Sequence, residues 1–368
     1  MKSHRLPVLF IITVVLLIGF CLATFYTASL AERYTLGHFG SYYSFFKRIL
    51  FLLGISLVVA ALLQFINYRA YKYLIGPVYA VQTVLLVAVL FVGRGAYGAK
   101  RWLGPSGAGF QPSEIQKLVI IVLVALLLSI PEKKLRTGLR VLLIVAVVLP
   151  SAYLVYKEPD LGTTSLLLGI SIVMIIHFRL TGKQLLILAL VLAVAATGIW
   201  FKLTPEQHSR IETFLNPQAD PLGTGYNVIQ SKVATGSGGL LGRGVKGSTQ
   251  TALSFVPMQY ADFVFSLVGE LFGFVGCTIL VLLFVLLLWS TFLIYRTLTD
   301  DFARYIIIGI ETMWFLQAAI NMGMAIGLSP VTGIPLPFIS YGGSSMLVQV
   351  AAASVVVNIY RTRDELRF

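Results

Sequence analysis

Ten apolar runs of membrane-spanning length recur along the chain, and they leave it few ways to fold. They fall near residues 6–30, 44–66, 76–93, 113–130, 139–156, 161–178, 183–201, 263–295, 303–328 and 342–360. A helix needs about 20 apolar residues to cross a hydrocarbon core, where its own hydrogen bonds must satisfy the backbone. Membrane β-barrels alternate apolar and polar residues in short strands, and these runs do not. A composition 57% apolar and 12% charged also argues against a soluble or disordered chain. The predicted fold is an all-α polytopic membrane protein with about ten transmembrane helices. It forms one integral membrane domain over 1–368, with a large extracytoplasmic loop at 202–262 between helices 7 and 8.

Lys2 and Arg5 precede the first run, and Ser29-Leu30-Ala31 resembles a signal-peptidase site. The run is too long for an ordinary signal and further spans follow it, so an uncleaved anchor is expected. Ten spans put both termini on one side. The termini and even-numbered connections are short and basic: Arg69 and Lys72; Lys133, Lys134 and Arg136; Arg179 and Lys183; Arg296 and Arg304; Arg361, Arg363 and Arg367. That side is cytoplasmic by the positive-inside rule.

The net charge is +13, and Arg94, Lys100, Arg101, Lys157, Lys202, Arg210, Lys232, Arg243 and Lys246 fall on the outward side. An anionic lipid headgroup or a lipid pyrophosphate suits these cations, as does a plain solvated rim. Nucleic acid does not suit an outward face. Cys21 and Cys277 lie within spans and suggest neither disulfide nor metal, and the four His have no ligand spacing.

The outward connections hold the chemistry. Asp262 sits where the longest polar interval meets an apolar helix, and an ionisable group at that boundary is a functional-site hypothesis. Glu114 and Lys117, three apart on one helix face, form either a structural ion pair or a cavity wall. Asp160, in Lys157-Glu158-Pro159-Asp160, either caps the next helix or faces a cavity as partner to a basic residue or a metal. The long loop carries Gln230-Ser231-Lys232, Gly236-Ser237-Gly238-Gly239 and Ser248-Thr249-Gln250. Its glycines would let backbone N–H groups reach an anion, and its interleaved apolar residues predict an ordered cap. The last outward loop contains Pro330, Pro335 and Pro337, which forbid a regular helix; it is read as a re-entrant element or a connector. Two G-x-G-x-x-G matches lie outside any strand–turn–helix unit and no Walker A sequence occurs, so no nucleotide site is expected.

These segments together resemble the SEDS family of membrane proteins, of RodA and FtsW type, with the RodA pattern nearest. The resemblance covers nearly the whole chain. It rests on Lys100-Arg101-Trp102-Leu103, Phe110-Gln111-Pro112-Ser113-Glu114, Pro159-Asp160-Leu161-Gly162-Thr163, Asp220-Pro221-Leu222-Gly223 with Gly225-Tyr226, Gln230-Ser231-Lys232, Gly236-Ser237-Gly238-Gly239, Asp262-Phe263 and Pro335-Leu336-Pro337 with Ser340-Tyr341-Gly342-Gly343-Ser344. The pattern departs before the aspartate, where Met258, Tyr260 and Ala261 replace the family's Glu, His and Thr, and again at Leu271, which replaces a second acid.

The resemblance implies a peptidoglycan glycosyltransferase of the bacterial cytoplasmic (inner) membrane. It would extend glycan strands from lipid II in cell-shape and elongation wall synthesis; a lipid II flippase is the alternative. Asp262 is implied as the catalytic residue. The expected substrate-binding set is Lys100, Arg101, Trp102, Glu114, Lys117, Asp160, Gln230, Ser231, Lys232, Ser237, Thr249, Gln250, Ser340, Tyr341 and Ser344. A divalent cation, Mg or Mn, is the cofactor such chemistry admits, with its site unassigned. The implied partners are lipid II and the growing glycan, a class B penicillin-binding protein as transpeptidase, and other elongation-machinery membrane proteins. The eighth and ninth spans, with Gly323 and Gly327, are the expected seam for the transpeptidase's single membrane helix.

Overall fold

The structure, a computed structural model, describes residues 5–95, 100–104, 109–178, 205–221 and 225–363, with a few further positions between 181 and 223. Six helices come first: α1 (Arg5–Leu36), α2 (Ser41–Leu63), α3 (Tyr71–Val92), α4 (Pro112–Ser129), α5 (Thr137–Lys157) and α6 (Leu161–His177). Two shorter ones, α7 (Pro205–Leu215) and α8 (Tyr226–Ser237), occupy the polar interval. The chain then continues through α9 (Val264–Tyr295), α10 (Asp301–Ile326) and α11 (Gly343–Thr362). Among the described residues, eight helices are long and apolar enough to cross a membrane, and α6 is a shorter apolar one. Each expected span overlaps one of these nine, except 183–201, which lies largely outside the described residues.

Local sequence explains several boundaries. Pro112 opens α4, where its missing N–H has no intrahelical role. Asp160 caps α6 by accepting from Thr163 N at 3.0 Å, and Asp300 caps α10 by accepting from Ala303 N at 3.3 Å. Gly327 closes α10 in the left-handed conformation, at φ 76°. Two isolated antiparallel bridges, Arg94 with Trp102 and Leu103 with Phe110, fold the loop after α3 into a hairpin.

The glycine-rich run 236–244 meets α9 backbone to backbone. α9 kinks at Gly273, whose φ of 65° and ψ of −158° suit glycine alone. There Phe274 N donates to Gly239 O at 2.8 Å and Val275 N to Leu240 O at 3.1 Å. A Cβ on Gly238 would fall 1.9 Å from Gly269 O, and one on Gly242 would fall 2.2 Å from Leu271 O. These glycines therefore permit close packing, and the N–H groups of Gly242 and Arg243 donate to Gly238 O and Glu270 O rather than cradling an anion. Buried Glu270 completes the dock by accepting from Gln250 N, Thr251 N and Thr251 Oγ1 at 2.8, 2.9 and 2.6 Å. The described part of the interval docks on α9 and α10, with Val228 buried and Leu240 and Leu241 exposed.

The centre of the bundle holds a buried polar chain. Trp314 Nε1 donates to Gln349 Oε1 at 2.8 Å, and Gln349 Nε2 donates to Gln317 Oε1 at 3.0 Å. At the expected helix seam, Gly323 and Gly327 are half-buried and each meets another segment of this chain. A Cβ at Gly327 would fall 2.1 Å from Lys232 Cε, and Gly323 backs onto Ser329.

Candidate functional site

One end of the bundle gathers the hairpin, the starts of α2, α4, α6, α9 and α11, and the loop after α10. A Cβ on Gly162 would lie 2.5 Å from Thr332 O, and Gln111 N donates to Ser344 Oγ at 2.9 Å, which shows how tightly these ends meet. A cavity of about 540 Å³ opens there, with Arg101, Arg210, Thr213, Asp262, Thr332 and Gly333 in its wall.

Asp262 is held through its main chain. Its N–H donates to Met258 O at 2.9 Å. Asn321, buried near the C-terminal end of α10, donates both to Asp262 O at 2.9 Å and to Ile334 O at 2.8 Å. Ser340 Oγ donates to Ala261 O at 2.6 Å and accepts from Leu336 N at 2.8 Å, while Tyr341 N donates to Tyr260 O at 2.9 Å. Phe45 on α2 packs on the rings of Tyr260 and Tyr341 at 4.2 and 4.7 Å. The side chain of Asp262 is thus left to the cavity while its backbone is locked. Gly333, at φ 72°, keeps that approach clear: a Cβ there would sit 3.7 Å from Asp262 Oδ2.

Burial pushes the Asp262 carboxyl from its ordinary 3.8 up to about 6; Asp160 adds to this, and the guanidinium groups of Arg101 and Arg210 oppose it. Arg101 is anchored from behind, donating from Nε to Glu158 O at 3.2 Å and from a terminal nitrogen to Pro159 O. Asp262 and Arg101 are therefore the two expected residues that reach the cavity wall.

The other expected residues surround it. Asp160 is engaged by Thr163 N, Thr163 Oγ1 and Gln111 Nε2. Glu114 and Lys117 form an ion pair of 2.8 Å, with side chains 3% and 1% exposed, and do not line the cavity. Ser344 accepts from Gln111 N, and Ser231 Oγ donates to Ala325 O at 2.7 Å. Ser237 Oγ donates to Ala234 O at 2.9 Å. Gln230 is half-buried on α8, Lys232 lies across Gly327, and Thr249 and Gln250 open the one-turn helix held by Glu270. Lys100 is exposed, and Trp102 pairs with Arg94.

Three residues of the site carried weaker sequence signals. Arg210 was legible only as an outward cation, Asn321 as a polar residue in an apolar span, and Thr332 as part of a proline-rich loop. Among the described residues, no three His, Cys, Asp or Glu side chains converge to hold a metal ion. The oxygens of Asp160 are already engaged, and Asp262 is the one carboxylate in the described cavity wall.

Fold and site define an all-helical, multi-pass membrane protein with a carboxylate-centred cavity at one end of its bundle. The family model of the FtsW/RodA/SpoVE cell cycle proteins matches residues 7–365, and the chain belongs to that family. It is 36% identical to the peptidoglycan glycosyltransferase MrdB of Escherichia coli K12 over 319 residues, 85% of each chain. It is 34% identical to the stage V sporulation protein E of Bacillus subtilis 168 over 326 residues, 88% of each. Among solved structures, it resembles a chain of a peptidoglycan synthase complex that coordinates polymerization and crosslinking. That match has a TM-score of 0.79 at 32% identity and covers 96% of this chain and 97% of the other. The rod shape determining protein RodA of Thermus thermophilus matches at a TM-score of 0.70 and 26% identity, covering 96% of both chains.

Proposed function

We propose that this protein is a SEDS peptidoglycan polymerase, a glycosyltransferase of cell-wall synthesis acting on lipid II and the growing glycan. Asp262 in its cavity carries the reading. Glycan extension requires a sugar hydroxyl to attack an anomeric carbon that bears a lipid pyrophosphate. The C–O bond to the new sugar forms as the bond to pyrophosphate breaks, and the hydroxyl proton must leave. An ionised Asp262 accepts that proton as general base. Arg101 and Arg210, the two cations acting on Asp262, stabilise the departing pyrophosphate. A divalent ion would be held by the Asp262 carboxylate and would supply charge stabilisation to the leaving pyrophosphate.

The crosslinking partner is a class B penicillin-binding protein. The proposed site is the outer face of the bacterial cytoplasmic membrane, with both termini cytoplasmic, supported by the basic even-numbered connections. The elongation role rests on the RodA-like motif pattern. The test is polymerisation of labelled lipid II by the purified complex with its transpeptidase. Asp262→Asn keeps shape and removes the acceptor, so glycan formation should fall at least about a hundredfold. Near-normal glycan chains from the folded variant overturn the assignment.

A further inference from the structure

The turn between α5 and α6 buries a carboxyl group that the proposed chemistry does not use. Glu158 is fully buried, and among the described residues neither of its carboxyl oxygens has a hydrogen-bond partner. Arg101 is its neighbour, yet that guanidinium donates to the backbone carbonyls of Glu158 and Pro159, not to the carboxyl. Among the described residues, the charged groups acting on Glu158 are Arg101 on the hairpin and Asp160 on its own turn. Lys157 is turned away, with Nζ 5.5 Å from the centre of the Tyr153 ring.

An ionised carboxylate with two bare oxygens in a closed space is costly, and beside Arg101 it would neutralise that cation. We propose that Glu158 is a positioning residue for Arg101: its carboxyl, uncharged in the active enzyme, leaves the guanidinium anchored on two carbonyls and its positive charge free to act in the cavity. Burial, with Asp160 adding and Arg101 opposing, pushes this carboxyl from its ordinary 4.5 up to about 8. Raising the pH through that value ionises Glu158, draws Arg101 into an ion pair and removes its charge from the pyrophosphate. The proposal rests on the role given to Arg101 in the polymerase reading.

The experiment is the pH profile of lipid II polymerisation by the purified complex, from pH 6 to 9.5. A group titrating near 8 is about nine-tenths uncharged at pH 7 and one-tenth at pH 9, so the wild-type rate should fall about tenfold between them. In Glu158→Gln, which is uncharged at every pH, this alkaline fall should vanish. A merely structural role would lower the rate without removing the limb. If Glu158→Gln does not fold, Glu158→Met is read the same way. A wild-type profile flat from pH 7 to 9, or an alkaline fall retained in the folded uncharged variant, overturns the proposal. Arg101→Gln separates this from the underlying reading. Full activity in that variant sinks the role of Arg101 itself. An inactive Arg101→Gln beside an unaltered limb in Glu158→Gln sinks only the inference about Glu158.

Discussion

A general base must be ionised before it can take a proton, and still be basic enough to hold one. Asp262, pushed up to about 6, meets both conditions near neutrality. Activity is expected to rise with pH through about 6 as the carboxylate forms, measured as initial rate against pH. The same shift sets a sign for stability. The folded state holds the proton more tightly than the unfolded one, so this group's contribution to stability falls as pH rises from 3.8 to about 6, and is flat above. At pH 7 Asp262→Asn should therefore melt no lower than wild type while losing activity; a lower melting temperature would count against a strained, functional carboxylate. Asn321 makes a different point. Its one amide fixes two carbonyls from separate loops, so Asn321→Ala should misplace Asp262. A positional loss of about 1.4 kcal/mol corresponds to a tenfold fall in kcat. The check is kcat against KM: a change confined to KM would show that Asn321 does not position the base.

At the scale of elements, the cap and the kinked α9 form one unit. Gly242 has φ 86° and meets Leu271 O, so an alanine there is strained twice over. Gly242→Ala should release the 236–254 segment, read as faster limited proteolysis within it and lowered polymerisation. Unchanged cleavage would mean that the dock tolerates a side chain. The α4 ion pair gives a second expectation. Lys117→Met strands Glu114, whose second oxygen has no partner among the described residues, in a buried site. Breaking such a pair costs about 3–5 kcal/mol, so thermal stability should drop clearly. Lost activity at wild-type stability would instead assign the pair to substrate.

For the whole molecule the decisive question is orientation. The cap and the cavity lie at one end of the bundle, and the connection after α2, with Arg69 and Lys72, lies at the other. Leu240 and Phe65 are 73% and 86% exposed at these two ends. In a variant lacking Cys21 and Cys277, a cysteine at Leu240 should react with an impermeant thiol reagent in intact cells. A cysteine at Phe65 should react only after permeabilisation. The reverse pattern would place the cavity on the cytoplasmic side, and with it remove the polymerase topology.

The sequence by itself determined the membrane class and most helix positions, and it singled out Asp262 as a candidate. Spanning a hydrocarbon core imposes length and apolarity on contiguous residues, and the ends of α4, α6 and α10 are written in Pro112, Asp160 and Gly327. It also set out a wide list of candidate site residues without their division of labour. Asp160, Ser231, Ser340 and Ser344 look alike as polar outward residues, yet each is engaged within the fold. Only the tertiary structure turned Gly238 and Gly242 into packing contacts, covered Gly327 with Lys232, and set Arg210, Thr332 and Asn321 around Asp262. Those outcomes depend on which helix ends meet. A side chain's distance from segments tens or hundreds of residues away is fixed by packing, and no local pattern encodes it.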